Sequence, residues 1–112
     1  MPDFRWSVFE ADIDPVTGSE QKGIRPVLVI SNEEFNRAMP NITVLPLTST
    51  KRRLYPSEVF LPAGTAGQPA DSIVMAHQVR TILKTRLGTR IGRLDNIACR
   101  IRICAAVKEH FD

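Results

Sequence analysis

The sequence predicts a small, mostly antiparallel β or α+β domain, with a short internal helix and one longer helix at the C-terminal end. Three observations carry this expectation. The chain has 112 residues, enough for one core and too few for two. Its apolar runs are short and punctuated by prolines, glycines and polar clusters, as strands are. Only the stretch over about 96–110 sustains a helical length.

The elements follow in order. Trp6 to Ala11 is a first strand, ended by Asp14-Pro15, and Thr17 to Gly23 is a loop with two glycines. Arg25-Pro-Val-Leu-Val-Ile30 is a continuous apolar run of buried-strand length. Pro26 donates no hydrogen bond, so it belongs at the start or edge of that strand. Ser31 and Glu34 have capping-box spacing, which predicts a helix start, and Pro40 ends that helix. Ile42 to Leu47 is another strand, and Lys51-Arg52-Arg53 is a basic loop. Ser57 to Leu61 alternates, Pro62 to Asp71 is a Gly/Pro-rich loop, and 72–76 and 78–82 are strand-like. Residues 90–93 fit either strand or loop. Asp95 is the expected N-cap of the last helix. Ile97, Ile101, Cys104 and Ala105 form its predicted core face, and Ile103 and Val107 fall on a second face for a partner to cover.

Composition excludes several classes. Hydrophobic residues make up 43% and charges 24%, a globular balance that argues against disorder. No apolar run approaches the roughly 20 residues of a spanning helix, so no membrane partner is expected. The first residues lack the pattern of a signal peptide, and the expected location is cytoplasmic. Cys99 and Cys104 would point about 140° apart on a helix, so both are expected as small apolar core residues rather than a bridge. No metal is expected, because no His, Cys and carboxylate cluster has ligand spacing; Asp12 and Asp14 suit the solvation of a turn. No phosphate-cradling Gly-rich loop precedes Lys-Ser or Lys-Thr, and no cofactor is expected.

Charge is unevenly spread along the chain. Residues 1–20 hold five carboxylates against Arg5, and residues 80–102 hold seven cations, six of them arginine, against Asp95. Arginine forks suit phosphate, so a polyanion partner is one reading; a solvated basic surface or an acidic protein partner are the others.

An ordered set of motifs resembles one family. Asp12-Ile-Asp-Pro15, Gly18-Ser-Glu-Gln21 and Gly23-Ile-Arg-Pro-Val-Leu-Val-Ile-Ser31 look like the opening signature of MazF/PemK toxins. The likeness continues through Pro46-Leu-Thr-Ser49, Tyr55-Pro-Ser-Glu58, His77-Gln-Val-Arg-Thr81, Arg86-Leu-Gly88 and Gly92-Arg-Leu94. The resemblance implies a small SH3-like barrel, as in the MazF, PemK and CcdB toxins, in a single domain over 1–112. It implies a homodimeric toxin that cuts single-stranded RNA selectively and without metal. It also implies inhibition by a cognate acidic antitoxin, with DNA binding by the toxin–antitoxin complex.

By that resemblance Arg25 and Thr48 match the two catalytic positions. A guanidinium and a hydroxyl suit the task, since both donate to a phosphorane whose charge grows in the transition state. Arginine stays protonated, so the base lies elsewhere: Glu20, which matches a loop glutamate of the family, is one candidate and water is the other. Expected RNA contacts are Ser19, Gln21, Ser49, Arg52, Arg53, His77, Gln78, Arg80 and Arg86, with Lys84 and Asn36 as further candidates. His77 stands where many relatives have Asp, and either alters RNA contacts or packs a strand end. Trp6 stands where relatives commonly have Gly; stacking on RNA, packing on a partner and shielding the barrel end are its three readings. Two other functions keep the fold: a non-catalytic toxin that binds DNA gyrase, and a passive RNA- or peptide-binding barrel.

Overall fold

A computed structural model describes residues 3–13 and 24–112. In chain order the elements are β1 (Ser7–Asp12), β2 (Ile24–Val29), α1 (Glu33–Ala38), β3 (Asn41–Thr48), β4 (Glu58–Leu61), β5 (Ser72–Met75), β6 (Arg80–Leu83), β7 (Leu87–Arg93) and α2 (Ile97–Phe111). Short 3₁₀ turns at Ala76–Gln78 and Lys84–Arg86 flank β6. All strand pairs are antiparallel, in the order β4-β5-β3-β2-β1-β7, with β6 also on β3. Among the described residues β4 and β7 do not pair, so the barrel-like sheet is open.

Strand β3 organises this sheet by changing partners along its length. Asn41 to Val44 pairs with β6, Val44 to Pro46 with β2, and Leu47 and Thr48 with β5. Pro46 falls between the β6 and β5 ladders, where a missing N–H breaks no bond. Pro26 sits one residue before the β2–β3 ladder begins at Val27 opposite Pro46. The expectation that Pro26 lies at a strand margin therefore holds on its β3 side.

The apolar run of β2 is buried on both faces. Leu28 joins Trp6, Val8, Leu45, Leu61 and Ile103 under α2, while Val27 and Val29 join Ala11, Ile42, Val44 and Ile82 on the other side. The loop before β5 packs backbone to backbone on β7. Gly67 has φ +85°, and a Cβ there would lie 2.7 Å from the Ile91 carbonyl oxygen. Only glycine fits such an approach.

Three local expectations are corrected, and one left open is decided. The cap of α1 is Asn32, whose side chain accepts from the Phe35 amide, not Ser31. The Ser31 hydroxyl instead accepts from the Thr43 amide and bonds Asn36. Helix α2 is capped by Asn96; Asp95 is held by Arg93 and Arg100. Its core face is Cys99, Ile103 and Ala106, while Ile97 and Ile101 are 61% and 64% exposed and Cys104 is exposed too. The stripe expected inside is outside. Residues 90–93 are strand, part of the longer β7.

Glu33 ties the N-terminal segment to α1. It accepts from the amides of Phe4 and Arg5 at 2.9 Å each. Burial opposes its ionisation, but those amide bonds, Asn36 and Arg37 outweigh it and hold the carboxyl below its usual range.

Trp6 shields the barrel end. Its φ is 69°, a backbone state that costs a non-glycine residue about 1–3 kcal/mol. The position is fixed from both sides: its amide donates to the Val29 carbonyl at 2.8 Å, and its carbonyl accepts from Leu94 at 2.7 Å. The buried indole lies 5.2 Å from each of the Arg5 and Arg100 guanidinium carbons. Losing such an aromatic costs about 3–5 kcal/mol, more than the backbone relief. Trp6→Gly is expected to lower stability by about 2 kcal/mol in urea unfolding; a more stable variant would show that strain dominates.

Candidate active site

Arg25 and Thr48 face each other where the β2–β3 ladder stops. Val27 pairs with Pro46, and continuing that register by two residues sets Arg25 opposite Thr48. Both line one open cleft with Pro26, Leu47, Ser49 and Gln68. Pro26 has no N–H, so β2 lacks the donor that would carry the ladder one step past Val27.

Each of the two groups is available to a ligand. Arg25 is exposed, and no described carboxylate pairs with it. The Thr48 hydroxyl accepts from the Thr50 amide at 3.2 Å and donates to the Thr50 hydroxyl at 3.1 Å. Its acceptor side is held by backbone, and its proton is shared only with a neutral hydroxyl that an anionic oxygen would outcompete. Gln68, buried in the cleft wall, serves structure. Its amide group accepts from Ala66 and donates to the Leu61 and Pro62 carbonyls.

A second groove continues from the first through Ser49 and Ser72 and adds Lys51, Arg52, Phe60 and Asp71. Behind it stands Glu58, a carboxylate with no exposed surface. Glu58 accepts from both Arg52 Nη atoms at 2.8 Å, from the Tyr55 amide at 2.7 Å and from His77 Nε2 at 2.8 Å. The Arg52 guanidinium lowers its pKa most; burial opposes; the Tyr55 amide and His77 add to the lowering, and the carboxyl ends at about 2. Arg52 also stacks over the Tyr55 ring at 4.3 Å.

The predicted residues fall into three groups. Arg25, Thr48, Ser49 and Arg52 come together along the two grooves. Arg53, His77, Gln78, Arg80 and Arg86 do not line them: His77 binds Glu58, Arg86 donates to the Asp12 carbonyl at 3.3 Å, and Arg80 sits opposite Val44 on β6. Ser19, Glu20 and Gln21 lie outside the described residues. Two further candidates are committed elsewhere. Asn36 is fully buried against Ser31 and Glu33, and Lys84 donates to the Asn36 carbonyl at 2.7 Å. Sequence reasoning missed Lys51, Glu58 and Gln68. Glu58 was visible only as one letter of the Tyr55-Pro-Ser-Glu58 motif.

Comparison with known proteins bears on what this cleft belongs to. The family described as PemK-like, MazF-like toxin of type II toxin–antitoxin system matches residues 4–111. The chain belongs to the PemK/MazF toxin family. Among its MazF-type relatives, Endoribonuclease EndoA of Bacillus subtilis is 42% identical over 93 residues, covering 82% of this chain and 80% of that protein. Endoribonuclease MazF9 of Mycobacterium tuberculosis is 36% identical over 113 residues, covering 96% and 95%. A mycobacterial endoribonuclease solved in complex with its cognate antitoxin superposes with a TM-score of 0.79 at 25% identity, covering 99% of this chain and 95% of that one. The MazF match extends over both grooves and α2 alike.

Proposed function

We propose that this PemK/MazF toxin is an mRNA interferase: an endoribonuclease that cuts single-stranded RNA at selected sequences, without metal. The observation that carries the reading is Arg25 set opposite Thr48 in one open cleft. Its relatives' names, Endoribonuclease EndoA and Endoribonuclease MazF9, support it.

The chemistry follows from the residues. The RNA 2′-hydroxyl attacks the adjacent phosphorus, a P–O bond forms, and the bond to the 5′-oxygen breaks, that oxygen leaving with a proton from solvent water. The phosphorane gathers negative charge, which the Arg25 fork and the Thr48 hydroxyl are placed to stabilise. Glu20 takes the 2′-hydroxyl proton, since a carboxylate accepts at neutral pH and an arginine does not. Lys51 follows the backbone along the second groove, and exposed Tyr55 and Phe60 offer faces on which bases stack.

The toxin works as a cytoplasmic homodimer with an acidic cognate antitoxin that covers the cleft. The exposed Ile97 and Ile101 stripe of α2 supports a second copy, and the arginines of 80–102 support an acidic partner. Among the described residues no helix is long and apolar enough to cross a membrane. Light scattering at micromolar concentration is expected to report twice the 12.5 kDa chain mass. A monomer that stays active there would contradict the dimer.

The deciding experiment is incubation of pure protein with labelled RNA in EDTA. Cleavage at discrete sites supports the reading. Intact RNA together with trapped DNA gyrase would assign the fold to a non-catalytic toxin instead.

A further inference from the structure

We propose that Glu58 is a positioning residue, whose carboxylate clasps Arg52, the Tyr55 amide and His77 to hold residues 49–52 as a preformed wall of the second groove. This rests on the reading that the grooves take RNA. It reassigns Arg52 and His77 from touching RNA to framing the surface that does.

The segment between β3 and β4 has little else to hold it. Among the described residues no backbone–backbone bond is made from 51 to 56, and the ties to the barrel there are those Glu58 accepts. Lys51, Arg52 and Arg53 are consecutive cations that repel one another and would carry the segment into water. Glu58 opposes this from a fixed base, since β4 begins with it and its register partner is Met75 of β5. Each carboxylate oxygen serves two donors: Oε1 takes Arg52 Nη1 and Tyr55 N, and Oε2 takes Arg52 Nη2 and His77 Nε2. A fork that spans both oxygens fixes direction as well as distance. Arg52 in turn backs one face of the Tyr55 ring.

His77 completes the clasp, its Nε2 lying 2.8 Å from Glu58 Oε2. The groups facing it are Glu58 from β4, Arg52 through the shared carboxylate, and His110 from α2 at a ring separation of 6.4 Å. Glu58→Gln breaks the clasp, because the amide has one acceptor oxygen where the carboxylate has two.

Glu58→Gln and Arg52→Lys test the clasp, each checked for folding by circular dichroism. Limited trypsinolysis at Lys51 to Arg53 reads the segment without RNA, and steady-state cleavage reads the groove. Both variants should be cut there about tenfold faster than the parent, with KM for RNA raised about tenfold and kcat within about threefold, as expected for a lost wall rather than lost chemistry. Should Glu58→Gln fail to fold, Arg52→Lys, which keeps the charge but not the fork, carries the test. Parental trypsin rates in a folded variant overturn the clasp. Faster trypsin cutting with unchanged KM overturns its role in RNA binding. Faster trypsin cutting in a protein whose parent never cuts RNA leaves the clasp standing and removes the nuclease reading.

Discussion

Arg25→Ala is expected to lower RNA cleavage about 10²–10³-fold, the usual cost of one preorganised donor to a developing oxyanion. Thr48→Ala should fall in a similar range. Stability is expected to stay within about 0.5 kcal/mol for Arg25→Ala, since the side chain is exposed. Arg25→Lys separates charge from geometry. It keeps the cation but loses the fork, so it should recover part of the rate and not all of it. In the proposed mechanism the two groups act on one phosphorane, so the double variant should lose less than the product of the single losses. Single-turnover cleavage of a defined oligonucleotide measures all four. A folded Arg25→Ala/Thr48→Ala protein cutting at the parental rate would remove both residues from the site.

The acid limb of the stability curve belongs in good part to Glu58. Its carboxyl is lowered from 4.5 to about 2, chiefly by the Arg52 guanidinium. A folded-state pKa below the unfolded one stabilises fully above the unfolded value. That stability is lost as pH falls from about 5 toward about 2, where the folded protein takes up the proton. The shift corresponds to about 3 kcal/mol, large against a typical total of about 5–15 kcal/mol. Urea unfolding of the parent and Glu58→Gln at pH 7, 5 and 3 reads this directly. The gap should be widest at pH 7 and shrink at pH 3. Parallel curves over that range would show that Glu58 does not hold its proton as described.

Much of the barrel was legible because its signals are local. The Val27-Leu28-Val29 run, the Pro40 stop and the polar end of β3 each declare themselves within a few residues. Arg25 and Thr48 were legible only through the ordered motifs, since neither residue type in a strand announces chemistry. Helix α2 shows where local pattern fails. It carries apolar residues on two faces, Ile97 and Ile101 on one and Ile103 and Val107 on the other, so periodicity gives a helix without saying which face packs. The position of β4 decides it. The caps slipped by one residue because Ser31 and Asn32, and Asp95 and Asn96, are adjacent side chains all able to cap. The Glu58 clasp was hidden because its partners lie six residues before it and 19 after it.

Pro26 beside the cleft has a consequence for what a ligand must do on arrival. With an ordinary residue at 26, a free N–H would favour extending the β2–β3 ladder past Val27 toward Arg25. A strand seam closed that way would have to be unzipped before a phosphate could reach both side chains, at the expense of each bond broken. The Pro26 ring makes the opening a property of covalent structure, present before any encounter. Reorganisation energy is thereby kept out of the binding step, and a ligand of the proposed kind would spend more of its attraction to Arg25 on rate.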